Sequence, residues 1–224
     1  MVARIKQQVA ILPVWSKPDM IDEADSTDRR ILAIATEHLR KFGVKRMTVV
    51  AIAEQAGMTH ANVYRYFPSK QALADRVAGD WLRGPETRLS EIVQAPDPAD
   101  DKLERFITSL SRAYEEKLAR DPHIFAVFVD ALEEKRSVTS RHLSRVRELI
   151  GRVIEEGIAT RVLVAADPGR IEILIFDALH RFLHPQAVFI AKKYEDAKQS
   201  GALDSRRDRI TRLVVRGLVS GRVK

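Results

Sequence analysis

Four neighbouring residues, His60, Ala61, Asn62 and Arg65, carry side chains suited to reading the edges of DNA bases. An Asn amide can bond adenine in a bidentate way, an Arg guanidinium can do so with guanine, and an Ala methyl can touch the thymine methyl. Lys45 and Arg46 lie a little earlier in the chain, where both could meet phosphate. The sequence offers no convincing catalytic set beside them. Most carboxylates fall on helix faces with Arg or Lys at hand, and there is no P-loop, no Gly-rich dinucleotide turn and no nucleophile elbow. The chain has no cysteine, which excludes disulfides, a thiolate nucleophile and Cys-ligated zinc. His180 and His184 are four apart and share one helix face, a spacing that can bind metal. The neighbouring sequence supplies no third ligand, so they read as a polar patch at a helix interface. Pro185 should bend or end the helix just there. No metal and no cofactor are expected.

The base-reading residues need a rigid element to present them, and the flanking sequence provides one. Thr48 can cap a short helix in which Val49, Ile52, Ala53 and Ala56 recur at helical spacing. Gly57 follows where a tight turn would need a positive φ. Thr59 offers a second cap, and a second short helix runs through Ala61, Val63 and Tyr66. Small Ala53 lets the helices cross closely, while Met58 and Val63 face inward. This is the recipe for a helix-turn-helix, whose second helix enters the major groove.

The run Tyr64, Tyr66, Phe67, Ser69, Lys70 and Leu73, in the order YRYFPSKQAL, makes the match more specific. It resembles the signature of the tetracycline-repressor (TetR) family of bacterial regulators, and the resemblance covers residues 27–81, about a quarter of the chain. That family often has Ser where Thr59 stands, Gly where Ala61 stands and His where Tyr66 stands. These departures bear on sequence preference. The resemblance implies that Thr48, Thr59, Tyr64, Tyr66 and Lys70 hold phosphates; Arg46 joins them by its place just before the second helix, not by the resemblance. Hydroxyl and ammonium groups suit positioning, not readout.

Around this unit the chain reads as all-α, with about nine helices. The first is expected near Thr27, with Ile31, Leu32, Ala35, Leu39 and Phe42 as its buried stripe and Gly43 as its end. The helix after Ser69 places Leu73, Val77 and Trp81 on one face, with Trp81 packing at the join to the next domain. Gly84-Pro85 should break it. Residues 1–26 read as an irregular N-terminal arm, 27–83 as the DNA-binding domain, and 84–224 as an effector-binding and dimerisation domain. Asp121-Pro122 and Asp167-Pro168 each open a helix, because proline suits the first turn. The stretch IEILIFDALHRFL is too apolar for a helix with one exposed face.

Charge follows this division. The chain of 224 residues has a formal charge of +7. Residues 27–83 hold ten basic and five acidic side chains, whereas residues 84–200 hold 18 and 20. Positive charge thus overlaps the helix-turn-helix, as phosphate binding favours. A second basic cluster, at residues 201–224, reads as a solvated helix face. With no signal peptide and no apolar run of membrane-spanning length, a soluble cytoplasmic protein without a membrane partner is expected.

The reading of function is a non-enzymatic, ligand-responsive regulator, a repressor released from a double-stranded operator by a small molecule. The resemblance implies a homodimer, and two dimers on one operator are allowed. Leu174, Phe176, His180, Leu213 and Val214 are assigned to the dimer interface. Phe106, Leu110, Tyr114, Phe125, Phe128 and Leu149 are assigned to the ligand pocket, though each is equally a plain core residue. Two alternatives stand beside it: a regulator or activator without an effector, and a helical enzyme with a coincidental helix-turn-helix.

Overall fold

The computed structural model describes residues 19–164, 166–193 and 200–220. Its first four helices are α1 (Asp19–Arg46), α2 (Val49–Gln55), α3 (His60–Tyr66) and α4 (Lys70–Gln94). Seven more follow: α5 (Ala99–Arg120), α6 (Pro122–Glu133), α7 (Ser137–Ala159), α8 (Pro168–Ala178), α9 (His180–Leu183), α10 (Pro185–Lys193) and α11 (Ser200–Leu218). The fold is all-α. Among the described residues the only β-type pairing is an isolated bridge between Leu163 and Val219.

Among the described residues eleven helices replace the expected nine, because the apolar run after Asp167 is not continuous. It stops at Leu179 (φ −111°, ψ 15°), and Pro185 then opens a new helix. The first helix starts at Asp19 rather than near Thr27, so the last part of the expected arm is helical. Residues 1–18 lie outside the described residues.

Gly84-Pro85 does not end α4, contrary to the sequence expectation. A proline in a helix clashes with the Cβ of the residue before it, and Gly84 has none. The Pro85 ring is buried, and α4 runs on between two cores. Phe42 is also placed differently, 47% exposed, with its ring edge-on to His38 at 5.8 Å. Four residues on from Leu39 the buried face reaches Gly43, not Phe42. Gly43 has φ +70°, and an added Cβ would lie 3.2 Å from the His123 imidazole.

Two apolar clusters organise the chain. The first joins α1–α4 through Ile31, Leu39, Ile52, Val63, Leu73 and Val77. The second is built from α4, α5, α6, α7 and the later helices around Phe106, Tyr114, Phe125 and Leu149. Helix α6 belongs to both. Ile124 and Val127 enter the first cluster, and Phe125 and Phe128 enter the second. Trp81 packs against both, as its position at the join suggested.

The end of α7 is closed by backbone contact. Leu163 lies over Gly157, where a Cβ would fall 2.5 Å from Leu163 and 2.9 Å from Ala99. The Val164 and Ser220 amides then donate to the Leu218 and Val162 carbonyls. We therefore expect Gly157→Ala to cost about 1–3 kcal/mol by overpacking. Urea unfolding would measure it; a neutral or stabilising effect would show that Leu163 moves aside freely.

Candidate nucleic-acid interface

The head is built by three caps and one glycine. Thr48 accepts a hydrogen bond from the Ala51 amide at 3.2 Å, Thr59 from Asn62 at 3.3 Å, and Ser69 from Ala72 at 2.9 Å. Each satisfies an amide of a first turn that has no intrahelical partner. Gly57 adopts φ +65° at the turn. Val63 is wholly buried and Met58 half-buried against the same cluster, which fixes the rotation of α3.

That rotation turns His60, Ala61, Asn62 and Arg65 outward, all exposed. His60 and Tyr64 meet edge-to-face at 6.5 Å. Tyr64 and Tyr66 are 44% and 37% exposed, so neither phenol is locked in the core. Arg46, Thr48 and Thr59 are exposed as well. Because the two threonine hydroxyls accept from backbone amides, each keeps its own proton free to donate. Lys70 is half-buried, and its ammonium donates to the Lys45 carbonyl at 3.4 Å, a long bond that ties α4 to the end of α1. Six of the ten residues lie on α3 and Thr59 caps it, while Arg46 ends α1, Thr48 caps α2 and Lys70 opens α4.

Comparison with known proteins agrees with this geometry. Residues 31–77 match the model for bacterial regulatory proteins of the tetR family, and residues 99–202 match the tetracyclin repressor-like C-terminal domain. An uncharacterised helix-turn-helix transcriptional regulator of Mycobacterium tuberculosis is 30% identical over 157 residues, 69% of each chain. The chain belongs to the TetR family. It is a TetR-family transcriptional regulator, of a class whose members bind DNA. Among solved structures, a putative TetR-family regulator from Mesorhizobium loti superposes with a TM-score of 0.66 at 16% identity, covering 88% of this chain and 98% of that one. The regulator FadR from Bacillus subtilis, in complex with stearoyl-CoA, gives 0.59 at 21% identity over 85% and 98%. These two likenesses concern the fold.

Besides the packing of Ile124 and Val127, one buried carboxylate joins α1 and α4 to the start of α6. Asp121, 2% exposed, accepts from Arg40 Nε of α1 and from Trp81 Nε1 of α4, both at 2.9 Å. Burial alone would raise its pKa, but these two bonds and the Arg40 and Arg120 charges outweigh it and hold the carboxyl below its ordinary value. The Lys117 ammonium lies 4.1 Å over the Trp81 ring. Burial, then the like charge of Arg120, lowers its pKa to about 8. The sequence marked Asp121 only as a helix start, yet its side chain makes no capping bond to α6.

The residues assigned to a pocket are all buried. Phe106, Leu110, Tyr114, Phe125, Phe128 and Leu149 are each no more than 1% exposed. Tyr114, Phe125 and Phe128 pack with ring centroids about 6 Å apart, and Phe189 stacks on Phe125. Tyr114 Oη lies 2.9 Å from His142 Nε2, and His142 Nδ1 lies 2.6 Å from Glu86. The shortest assignment has Nδ1 donating to the carboxylate and the phenol donating to Nε2. Burial raises the Tyr114 pKa further, so it stays a neutral donor. Nothing in the sequence pattern pointed to this chain of three.

The residues assigned to dimerisation divide. Leu174 and Leu213 are 52% and 74% exposed, with Ile173 beside them at 58%. His180 is exposed, and Phe176 and Val214 are half-buried. The His180 and His184 rings stack at 4.6 Å. Burial, then the neighbouring imidazole, lowers the His184 pKa. Among the described residues no helix is long and apolar enough to cross a membrane.

Proposed function

We propose that this regulator is a homodimeric repressor that a small molecule releases from its operator. Residues 27–83 would form the reading head, and residues 84–224 would hold the effector and the second subunit. The observation that carries this reading is the double membership of α6 in the two apolar clusters. A head packed on Ile124 and Val127 cannot keep its position if Phe125 and Phe128 shift. A ligand that binds two arrangements of the C-terminal helices unequally therefore changes the separation of two heads. That FadR, a regulator of like fold, was solved in complex with stearoyl-CoA supports an effector reading.

The exposed leucines of α8 and α11 supply a face for a second copy. Two recognition helices would then meet half-sites about one turn of DNA apart, or a multiple, at roughly 34–36 Å per turn. Selection of bound fragments from genomic DNA, then sedimentation with the selected operator, tests this. A monomer on the operator at micromolar concentration overturns it.

The head contacts should sort by role. Asn62→Ala or Arg65→Ala should cost roughly 1–3 kcal/mol on the selected site and relax preference at one position. Lys70→Ala should weaken binding to all sequences and make the salt slope shallower by about one unit. Binding titrations on selected and random duplexes at several salt concentrations separate the two. Equal losses on both duplexes from both kinds of variant would remove the distinction.

A second reading, a DNA-binding regulator without an effector, is favoured by the mutual packing of Tyr114, Phe125 and Phe128. The effector reading then needs a site outside that aromatic core.

A further inference from the structure

A groove of about 670 Å³ runs between α4 and α7, outside the aromatic core. Leu82 and Val138 reach it only at their edges, 1% and 4% exposed, and the half-buried Gly79 of α4 lines it with them. A Cβ on Gly79 would make only ordinary contact, 3.4 Å from Val138, so no clash forbids a side chain there. A glycine inside a helix nevertheless costs about 0.5–1 kcal/mol relative to alanine. Its effect here is to leave the groove open.

The polar side chains of the groove are unevenly matched. Three carboxylates line it, and each already has a partner: Asp75 pairs with Arg136, Asp80 with Arg83 and Arg76, and Glu86 with His142. Four guanidiniums line it, those of Arg76, Arg83, Arg141 and Arg145. Arg145 pairs with Glu148 at 2.9 Å, whereas Arg141, one turn away and exposed, makes no ion pair among the described residues. The unmatched group at the rim is therefore a fork of N–H donors, the partner a carboxylate fits best.

The geometry points to this groove as a binding site for an organic monocarboxylate, its body against Gly79 and the aliphatic stems of the lining arginines and its carboxylate on Arg141. A neutral body of the same shape would leave the guanidinium unmatched, and an amine would meet it with like charge. The inner wall is His142, whose other nitrogen faces Tyr114 in the aromatic core. Occupancy would bridge α7 to α4, the helix that enters the head. That last step rests on the effector reading above; the site itself does not.

Calorimetric titration of the full chain with cyclohexanecarboxylate, cyclohexanol, cyclohexylamine and inorganic phosphate tests the site, because the first three share one body. Saturable binding of the carboxylate alone is expected, weakened at least about tenfold by Arg141→Glu, the change expected from losing one charge-assisted contact. Gly79→Leu, which fills the floor and favours the helix, should weaken it similarly while circular dichroism stays unchanged. No saturable carboxylate binding, equal binding of phosphate or amine, or indifference to both substitutions overturns the site. Operator titration with and without cyclohexanecarboxylate is read separately. Binding that leaves operator affinity unchanged keeps the site and removes the effector role.

Discussion

A chain carrying Leu174→Glu and Leu213→Glu should sediment as a monomer and lose about 10²–10⁴-fold in affinity for a two-half-site operator. The two leucines are 52% and 74% exposed on α8 and α11, so neither substitution empties a core position. The buried face of α8, Ile171 and Ile175, is untouched. The monomer should therefore stay folded, with surface changes ordinarily within about 0.5 kcal/mol. The loss on DNA is large because a dimer engages its second half-site as an intramolecular event. A charge in the middle of an apolar face also opposes pairing directly, since burying it unpaired is costly. Sedimentation velocity gives the oligomeric state, and titration on full and half operators gives the affinities. The variant should bind a half-site as the unaltered chain does. A variant that remains dimeric would place the interface elsewhere. A monomer with full operator affinity would show that pairing of heads contributes nothing to recognition.

The head was legible because its determinants are local. Thr48, Gly57, Thr59 and Val63 act within one or two helical turns, and each occupies the place its chemistry indicates. The join was not legible. Asp121 meets Arg40 and Trp81 across 81 and 40 residues, and His142 meets Glu86 across 56. No periodicity carries such a pairing. Local signals also misled where burial outweighed them, as at Gly84-Pro85 inside α4, or where the stripe rotated past Phe42 to Gly43. The apolar run after Asp167 shows a different limit. Pattern alone marked it as a helix too apolar for one exposed face, yet Ile173 and Leu174 are exposed in the single chain. A sequence shows that such a face needs a cover without saying what supplies it.

Asp121→Ala should destabilise the fold by about 2–4 kcal/mol at pH 7 and loosen the head from the C-terminal helices. Removing one partner of a buried ion pair costs about 3–5 kcal/mol. Arg40 is 42% exposed and can return to water, which lowers that figure. The Trp81 N–H, on a half-buried side chain, loses its acceptor, and an orphaned buried donor costs about 1–3 kcal/mol. Helix α6 itself should survive, because the Asp121 side chain does not cap it. The pH dependence identifies the charge. The folded carboxyl is held below its ordinary value, so its contribution is complete above the unfolded pKa, about 3.9. It is lost as pH falls through the folded value. The stability gap between the unaltered chain and Asp121→Asn should therefore be constant from pH 7 down to about 5 and narrow below about 4. Urea unfolding followed by tryptophan fluorescence measures the gap, and hydrogen exchange on α1 and α6 measures the loosening. A double-mutant cycle with Arg40→Gln should return a coupling of about 0.5–3 kcal/mol. A gap that persists unchanged at pH 3 would mean that shape, and not the carboxylate charge, holds the head. An unchanged exchange pattern in α1, with stability lost, would mean that Asp121 supports α6 without coupling it to the head.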